Sequence, residues 1–464
     1  MDAKQLRELK PMLEQYLGQF DDCFSRSEPC GNLRVYVNGQ LSDLPRKSIE
    51  PMADRADVPP RTLQQFLSLA DWDDARMAQR LMQIVGDQHS HPLSIGVLDE
   101  TAHPKKGDKT AGVQRQYCGA TGKVDNCVVT VHISYVAGAF HTLLPGEMFL
   151  PQEWSDDRAR CRGAGIPDTM QHRPKWQIAL ELRAAAVANG IRFEWMTGDE
   201  GYGEVPDFHR ALDECGQRYV LEVPSIFYGW LREPEVLQKQ HRAATRRGRP
   251  RHYPRLKVKT LPCIQVRHML RYGAAFRKQA WRKFHVKDST VGPEVWQVKA
   301  ARLYLKRDGL PTRAHWLIVA RNILAPQEVK YFVSNAPGGT PLEVMLHVAF
   351  TRYRVEQCFE VEKSELGLDH FEVRRYRSLK RHLLLTAVSH LFLATVQEQW
   401  RGEKSAADRM PDSPGGRGAG AFPVADGTGS SKLPGQGGGD YYSNAGTKRE
   451  SATLPRENTQ ATVA

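Results

Sequence analysis

Three short acidic stretches, far apart in the chain, carry the side chains best suited to chemistry: G-V-L-D-E-T around Asp99, T-G-D-E-G-Y-G around Asp199, and R-Y-R-V-E-Q-C-F-E-V-E-K around Glu356. Each puts a carboxylate at the end of an apolar run or on the border of an amphipathic helix, where a fold can gather distant acids around metal ions. Phosphodiester transfer needs a water or 3′ hydroxyl made nucleophilic and a leaving oxyanion stabilised. Two Mg²⁺ or Mn²⁺ ions about 3.5 to 4 Å apart supply both, and carboxylates are the ligands such hard cations prefer. Taken singly, each acid also reads as a helix cap or a surface charge.

The local patterns say how each acid is positioned. Asp99 ends the run S-I-G-V-L-D, so it is expected at a strand terminus, where a sheet edge exposes side chains to ligands. Glu100 then points to the opposite face, because side chains alternate along a strand. Asp199 follows the strand-like F-E-W-M-T-G-D, and glycines at 198, 201 and 203 allow a tight turn beside it. Arg352, Glu356 and Lys363 fall within about 40° of one another on a helix face. Val355, Phe359 and Leu366 form the neighbouring apolar stripe that would dock this helix on the sheet.

Around these motifs the chain reads as five segments. Residues 1–90 are helical: Leu6, Leu9, Leu13, Tyr16 and Leu17 recur at helical spacing, and a second pattern runs from Ser48 through Ile49, Met52, Ala53 and Ala56 to a Val58-Pro59-Pro60 turn. The next helix has Leu63, Phe66, Leu67 and Leu69 as its buried stripe, with Arg61, Thr62, Gln64 and Gln65 outward. This fits a DNA-binding helix-turn-helix, and it also fits an ordinary helical hairpin. Residues 91–223 predict strands at 93–98, 112–118, 127–135 and 139–150, then helix 175–188, strand 191–196, helix 205–215 and strand 219–223. Such an order implies a mixed sheet with helices on its faces. Residues 224–345 break the pattern with a basic, turn-rich piece at 242–255 and β-like segments at 257–265, 295–305 and 314–321. Helical texture returns at Pro341 and fills 346–400, and the Gly-, Ser- and Pro-rich residues 401–464 predict a disordered tail.

Composition narrows the class. The 464 residues, 41% hydrophobic, suffice for two or three real cores. The longest apolar stretch, residues 382–396, is broken by Thr386, Ser389 and His390, so a buried helix is expected rather than a membrane span. The opening M-D-A-K-Q-L-R-E-L-K lacks an apolar core for secretion, which predicts a cytoplasmic protein. Eight cysteines show no zinc-finger spacing and read as reduced packing residues. Sixty-five Lys and Arg against 53 Asp and Glu leave a net charge of +12, which attracts polyanions such as DNA or RNA.

Taken together, the acidic stretches resemble the DDE transposases of bacterial insertion sequences, in the group whose third carboxylate lies in a Y-R-E-K signature. Asp99 matches the family's first Asp, Asp199 with Tyr202 and Gly203 its D-x-x-Y-G turn, and Arg352, Glu356 and Lys363 the signature's Arg, Glu and Lys. The signature's Tyr is replaced by Ala349, with Phe350 and Tyr353 nearby, so its phosphate contact is lost or comes from a neighbour. H-P-K-K-G after Asp99, V-Q-R-Q-Y-C-G-A-T-G-K-V-D-N-C, and E-V-R-R-Y-R-S-L-K-R-H after Glu356 also look like the family.

The resemblance implies an α/β fold: an RNase H-like mixed sheet flanked by helices, split by a mainly β insertion, with an N-terminal helical DNA-binding region. It implies Asp99, Asp199 and Glu356 as catalytic ligands of two Mg²⁺ or Mn²⁺ ions, with Arg352 and Lys363 gripping phosphates. Tyr202, Arg61 and Gln64 join the DNA contacts expected of such an enzyme. Lys105 and Lys106 read either as phosphate contacts or as a solvated turn. Arg249, within R-R-G-R-P-R, reads as part of a minor-groove arm or of a flexible basic linker. Trp281, Trp296 and Trp316 read as stacking platforms for an unpaired base or as core. The expected activity is metal-dependent cleavage at the element's terminal inverted repeats and strand transfer into target DNA, by a homodimer in the nucleoid. Two alternatives remain: a catalytically silent DNA-binding relic, and a nuclease of the same fold without strand transfer.

Overall fold

A computed structural model of the chain describes residues 3–238, 253–289 and 292–407. Arg249 with the rest of the basic 246–251 run, and the tail beyond Ala407, lie outside the described residues. The described part opens with helices α1 (Ala3–Gly18), α2 (Ser27–Gln40), α3 (Ile49–Arg55), α4 (Pro60–Ser68) and α5 (Asp74–Gln88). Leu63, Phe66 and Leu67 form the buried face of α4, while Leu69, expected in that stripe, is 65% exposed. The helix ends at Ser68, so the helical period no longer carries Leu69 inward.

The sheet begins with β1 (Ile95–Pro104), β2 (Gln114–Cys118), β3 (Lys123–Ala137), β4 (Phe140–Leu143) and β5 (Glu147–Met148). Strand β3 pairs antiparallel with all four others. After helix α6 (Lys175–Ala188) come β6 (Trp195–Gly198), the single turn α7 (Glu200–Gly203), α8 (Pro206–Glu214) and β7 (Tyr219–Val223). Strand β6 runs parallel to both β1 and β7. Antiparallel strands joined through β3, followed by two parallel strands with β1 central, give the RNase H-like order.

The β segment beyond residue 224 joins this sheet. Strands β8 (Arg282–Ser289), β9 (Gly292–Arg307), β10 (Leu310–Asn322) and β11 (Val329–Ser334) form a meander whose last member pairs with β7, so the whole is one sheet of eleven strands. Of the β-like run expected at 257–265, only Ile264 and Gln265 form strand, against Tyr228 and Gly229.

Helices α9 (Leu342–Phe350), α10 (Tyr353–Ser364) and α11 (Tyr376–Ala407) complete the chain. Buried residues of α9 and α10 cover one face of the sheet with Val97 and Val128; the N-terminal helices and much of α11 cover the other with Leu98, Val131 and Ile133. From Cys127 onward β3 is buried on both faces, with the polar Thr130, His132 and Ser134 buried among its apolar residues. The N-terminal helices are bound to α11 by specific contacts: the Tyr16 hydroxyl donates to the Val388 carbonyl, and Arg381 donates to the carbonyls of Phe66, Leu67, Ala70 and Trp72. Residues Met1–Asp408 thus form one compact unit.

Candidate active site

Asp99 lies inside β1 and not at its end, since β1 stays paired with β3 as far as Pro104. What opens the site is the other neighbour. Strand β6 pairs with β1 only from Ile95↔Trp195 to Val97↔Thr197, and then turns away into α7. Continuing that parallel register puts position 99 level with position 199 on the next strand. The Asp199 side chain caps α7, Oδ1 accepting from the amides of Gly201 (3.0 Å) and Tyr202 (3.4 Å). The turn is tight because Gly203 packs on the Glu222 carbonyl, where a Cβ would come within 1.8 Å.

The two aspartates feel each other. Burial first, and then the Asp199 charge, raise the Asp99 carboxyl from 3.8 to about 7, against the lowering pull of Arg352. Glu100 does point away, with its carboxylate on Lys175 and on the Tyr202 hydroxyl.

Helix α10 carries the third acid over the same face. Val355, Cys358 and Phe359 are buried under it, as is Leu366 just beyond its end. Glu362, further along α10, is buried and bonded to His390 of α11 at 2.9 Å, which fixes the helix from above. Glu356 itself is 63% exposed. Arg352, the residue before α10, stands between the acids: its guanidinium is 3.9 Å from Asp99, 3.8 Å from Glu222 and 3.7 Å from Glu356. These are ion-pair distances, too long for hydrogen bonds. Lys363 lies within electrostatic reach of Asp99, and its ammonium is lowered chiefly by burial.

The structure therefore gathers Asp99 and Asp199 directly and ties Glu356 to Asp99 through Arg352. Among the described residues, no group of three or more His, Cys, Asp or Glu side chains is close enough to hold a metal ion as placed. The donor set still suits a hard divalent cation. A carboxyl raised to about 7 by burial first and a neighbouring carboxylate second is relieved by a cation that both can bind.

Several expected DNA contacts fall elsewhere. Tyr202 is buried against Phe208 in the core on the far side of the sheet from Asp99, and its hydroxyl donates to Glu100. Lys105 lies over the Phe371 ring and donates to the Phe371 carbonyl at 2.7 Å, so it fastens the loop after α10 and is no free phosphate ligand. Lys106, Arg61, Gln64 and Gln65 are exposed, and Thr62 is half-buried. Ala349 is buried, whereas Tyr353 lines a cavity of about 140 Å³ with Arg352 and Glu356. Trp296 is buried at that cavity, its indole donating to Glu294; Trp281 and Trp316 each lie beneath an arginine, Arg321 and Arg302.

One site residue escaped the sequence reading. Glu222 is buried in the centre of β7, 2.9 Å from Lys330 and close to Arg352. Its signal was present, since an acid within Y-V-L-E-V must find a cation once the strand is buried.

An RNase H-like sheet with two acids level at its open centre and a third on the covering helix defines a carboxylate-centred enzyme of nucleic-acid cleavage. Residues 19–288 match the family described as DDE superfamily endonuclease. The chain is also 31% identical over 349 residues to the probable transposase for insertion sequence element IS701 of Microchaete diplosiphon, covering 74% of this chain and 76% of that protein. The chain belongs to the DDE superfamily endonucleases, as an enzyme of the transposase kind. That membership implies a divalent metal ion and a DNA substrate. Among the described residues no helix is long and apolar enough to cross a membrane.

Proposed function

We propose that this chain is the transposase of a bacterial insertion sequence, cleaving DNA at the terminal inverted repeats of its element and joining the freed 3′ ends to target DNA. The observation that carries the reading is the register of β1 and β6, which, continued past Val97↔Thr197, sets Asp99 level with Asp199, with Arg352 linking Asp99 to Glu356. Asp99, Asp199 and Glu356 are the catalytic carboxylates and would hold two Mg²⁺ or Mn²⁺ ions, which activate the nucleophile and stabilise the leaving oxygen. Burial keeps Asp99 reluctant to ionise without a cation. Arg352 leaves its ion pairs to bind the phosphate beside the scissile bond, and Glu222 keeps its guanidinium near the site. Lys363 serves a second phosphate, and Tyr353 stands where it can supply the aromatic hydroxyl that Ala349 lacks. Helix α4 presents Arg61, Gln64 and Gln65 to DNA from the N-terminal region, and two copies act together on paired ends in the nucleoid.

The test is a nicking and joining assay on duplexes bearing the short inverted repeats that flank the gene. Metal-dependent nicking at the repeat ends, followed by joining to plasmid, is expected. Binding without nicking would favour a silent relic, and nicking without joining a nuclease.

A further inference from the structure

The hairpin of β2 and β3 presents an exposed face that the catalytic reading leaves unused. Tyr117 is 68% exposed and its cross-strand partner Val124 is 56% exposed. Two bare apolar side chains side by side form a small apolar patch on an otherwise polar surface. The pairing register shows which way they face. Asp99 is opposite His132, Thr101 opposite Thr130 and His103 opposite Val128, and side chains alternate. Even-numbered positions of β3 therefore lie on the Asp99 face, Val124 among them, with Tyr117 and Arg115 across from Val124 and Asn126. The opposite parity behaves as it should: Cys118, Cys127 and Val129 are buried together on the other side.

The hairpin thus continues the active-site face outward. From His132 to Val124 is eight residues, about 26 Å at the strand's rise of about 3.3 Å per residue. Its surroundings are cationic. Lys106, Lys109 and Arg115 are exposed and outnumber Asp108, and the loop bearing Lys106 is pinned to the hairpin by the Asn126 amide, which donates to the Lys105 and Gly107 carbonyls.

We propose that the β2–β3 hairpin is a second DNA-binding surface, on which Tyr117 and Val124 pack against the cleaved duplex while Arg115 pairs with its backbone. This rests on the reading of the chain as a DNA-cleaving transposase. At about 3.4 Å per base pair, 26 Å places the contact about eight base pairs from the scissile phosphate. Charge favours DNA over a second copy of this equally basic chain as the occupant.

The experiment uses the full chain and a labelled duplex carrying the element's end. In the double variant Tyr117→Ser, Val124→Ser, the dissociation constant should rise roughly tenfold, and hydroxyl-radical protection about eight base pairs from the nick should vanish while protection at the nick persists. Arg115→Gln should reduce the slope of log K against log salt by about 0.9. Both side chains of the double variant are exposed, so circular dichroism should be unchanged. If the wild type nicks its DNA and the double variant keeps the same affinity and footprint, the hairpin proposal fails and the transposase reading stands. If the double variant loses self-association but keeps its footprint, the surface belongs to a second copy and the proposal is overturned. A wild type that neither binds nor nicks the duplex with divalent metal present overturns both.

Discussion

A carboxyl group inside a sheet ionises reluctantly, and Asp99, with a side chain only 16% exposed, does so only near pH 7. Its folded pKa is raised, so the metal-free protein favours the protonated group. That stability is complete below about pH 4 and is lost as pH rises through 7. Asp99→Asn should therefore be more stable than the wild type at pH 8 by up to about 4 kcal/mol, with the gap closing towards pH 4. Urea unfolding in chelator measures it, and a gap independent of pH would contradict the burial argument. Mg²⁺ should restore the wild type preferentially. In catalysis the same change, like Asp199→Asn and Glu356→Gln, should cut cleavage roughly a thousandfold or more. Binding of the end duplex in a gel-shift assay should stay within about twofold, since acids contribute nothing favourable to phosphate contact.

Two buried polar contacts set the elements around the site. The fully buried guanidinium of Arg381 closes the carbonyl end of α4 and pairs with Asp74 at the start of α5. Arg381→Met leaves those carbonyls without their donor and Asp74 with only Lys380, and should cost about 3 to 5 kcal/mol by denaturant unfolding. The outward face of α4, with Arg61 and Gln64, would lose its backing in the same step. Glu362 and His390 clamp the catalytic helix α10 to α11. His390→Ala should lower cleavage more than it lowers DNA affinity, because it loosens the helix that carries Glu356 without touching the DNA face. Equal losses in both would mean the helix does no more than stabilise the fold.

At the scale of the molecule, α11 is the common wall of both cores, with Leu379 and Leu383 in one and Leu384, Leu385, Val388 and Leu391 in the other. A chain ending at Asp408 keeps the entire compact unit and should cleave its DNA ends like the full protein. Ending at 375 removes those leucines, each worth about 1.5 to 3 kcal/mol against a total stability of about 5 to 15, and circular dichroism should show an unfolded chain. The sequence alone determined the parts: helix α6 and strand β7 were legible to the residue from their apolar periods, as was the docking stripe of Val355 and Phe359. It also singled out the three acids as candidates, because an acid beside an apolar run is a local signal. Tertiary structure decided what periodicity cannot encode. Where β6 leaves β1, and hence why Asp99 is accessible from the middle of a strand, depends on long-range register. So does the joining of β8 to β11 onto the central sheet, which local texture showed only as a separate β segment. Tyr202 read as a DNA contact and is buried with its hydroxyl on Glu100, and Glu222 read as nothing and is a partner of Arg352. The reason is common to all four: local pattern fixes which side chains alternate, but the face each one reaches is set by the neighbour it pairs with across the sheet.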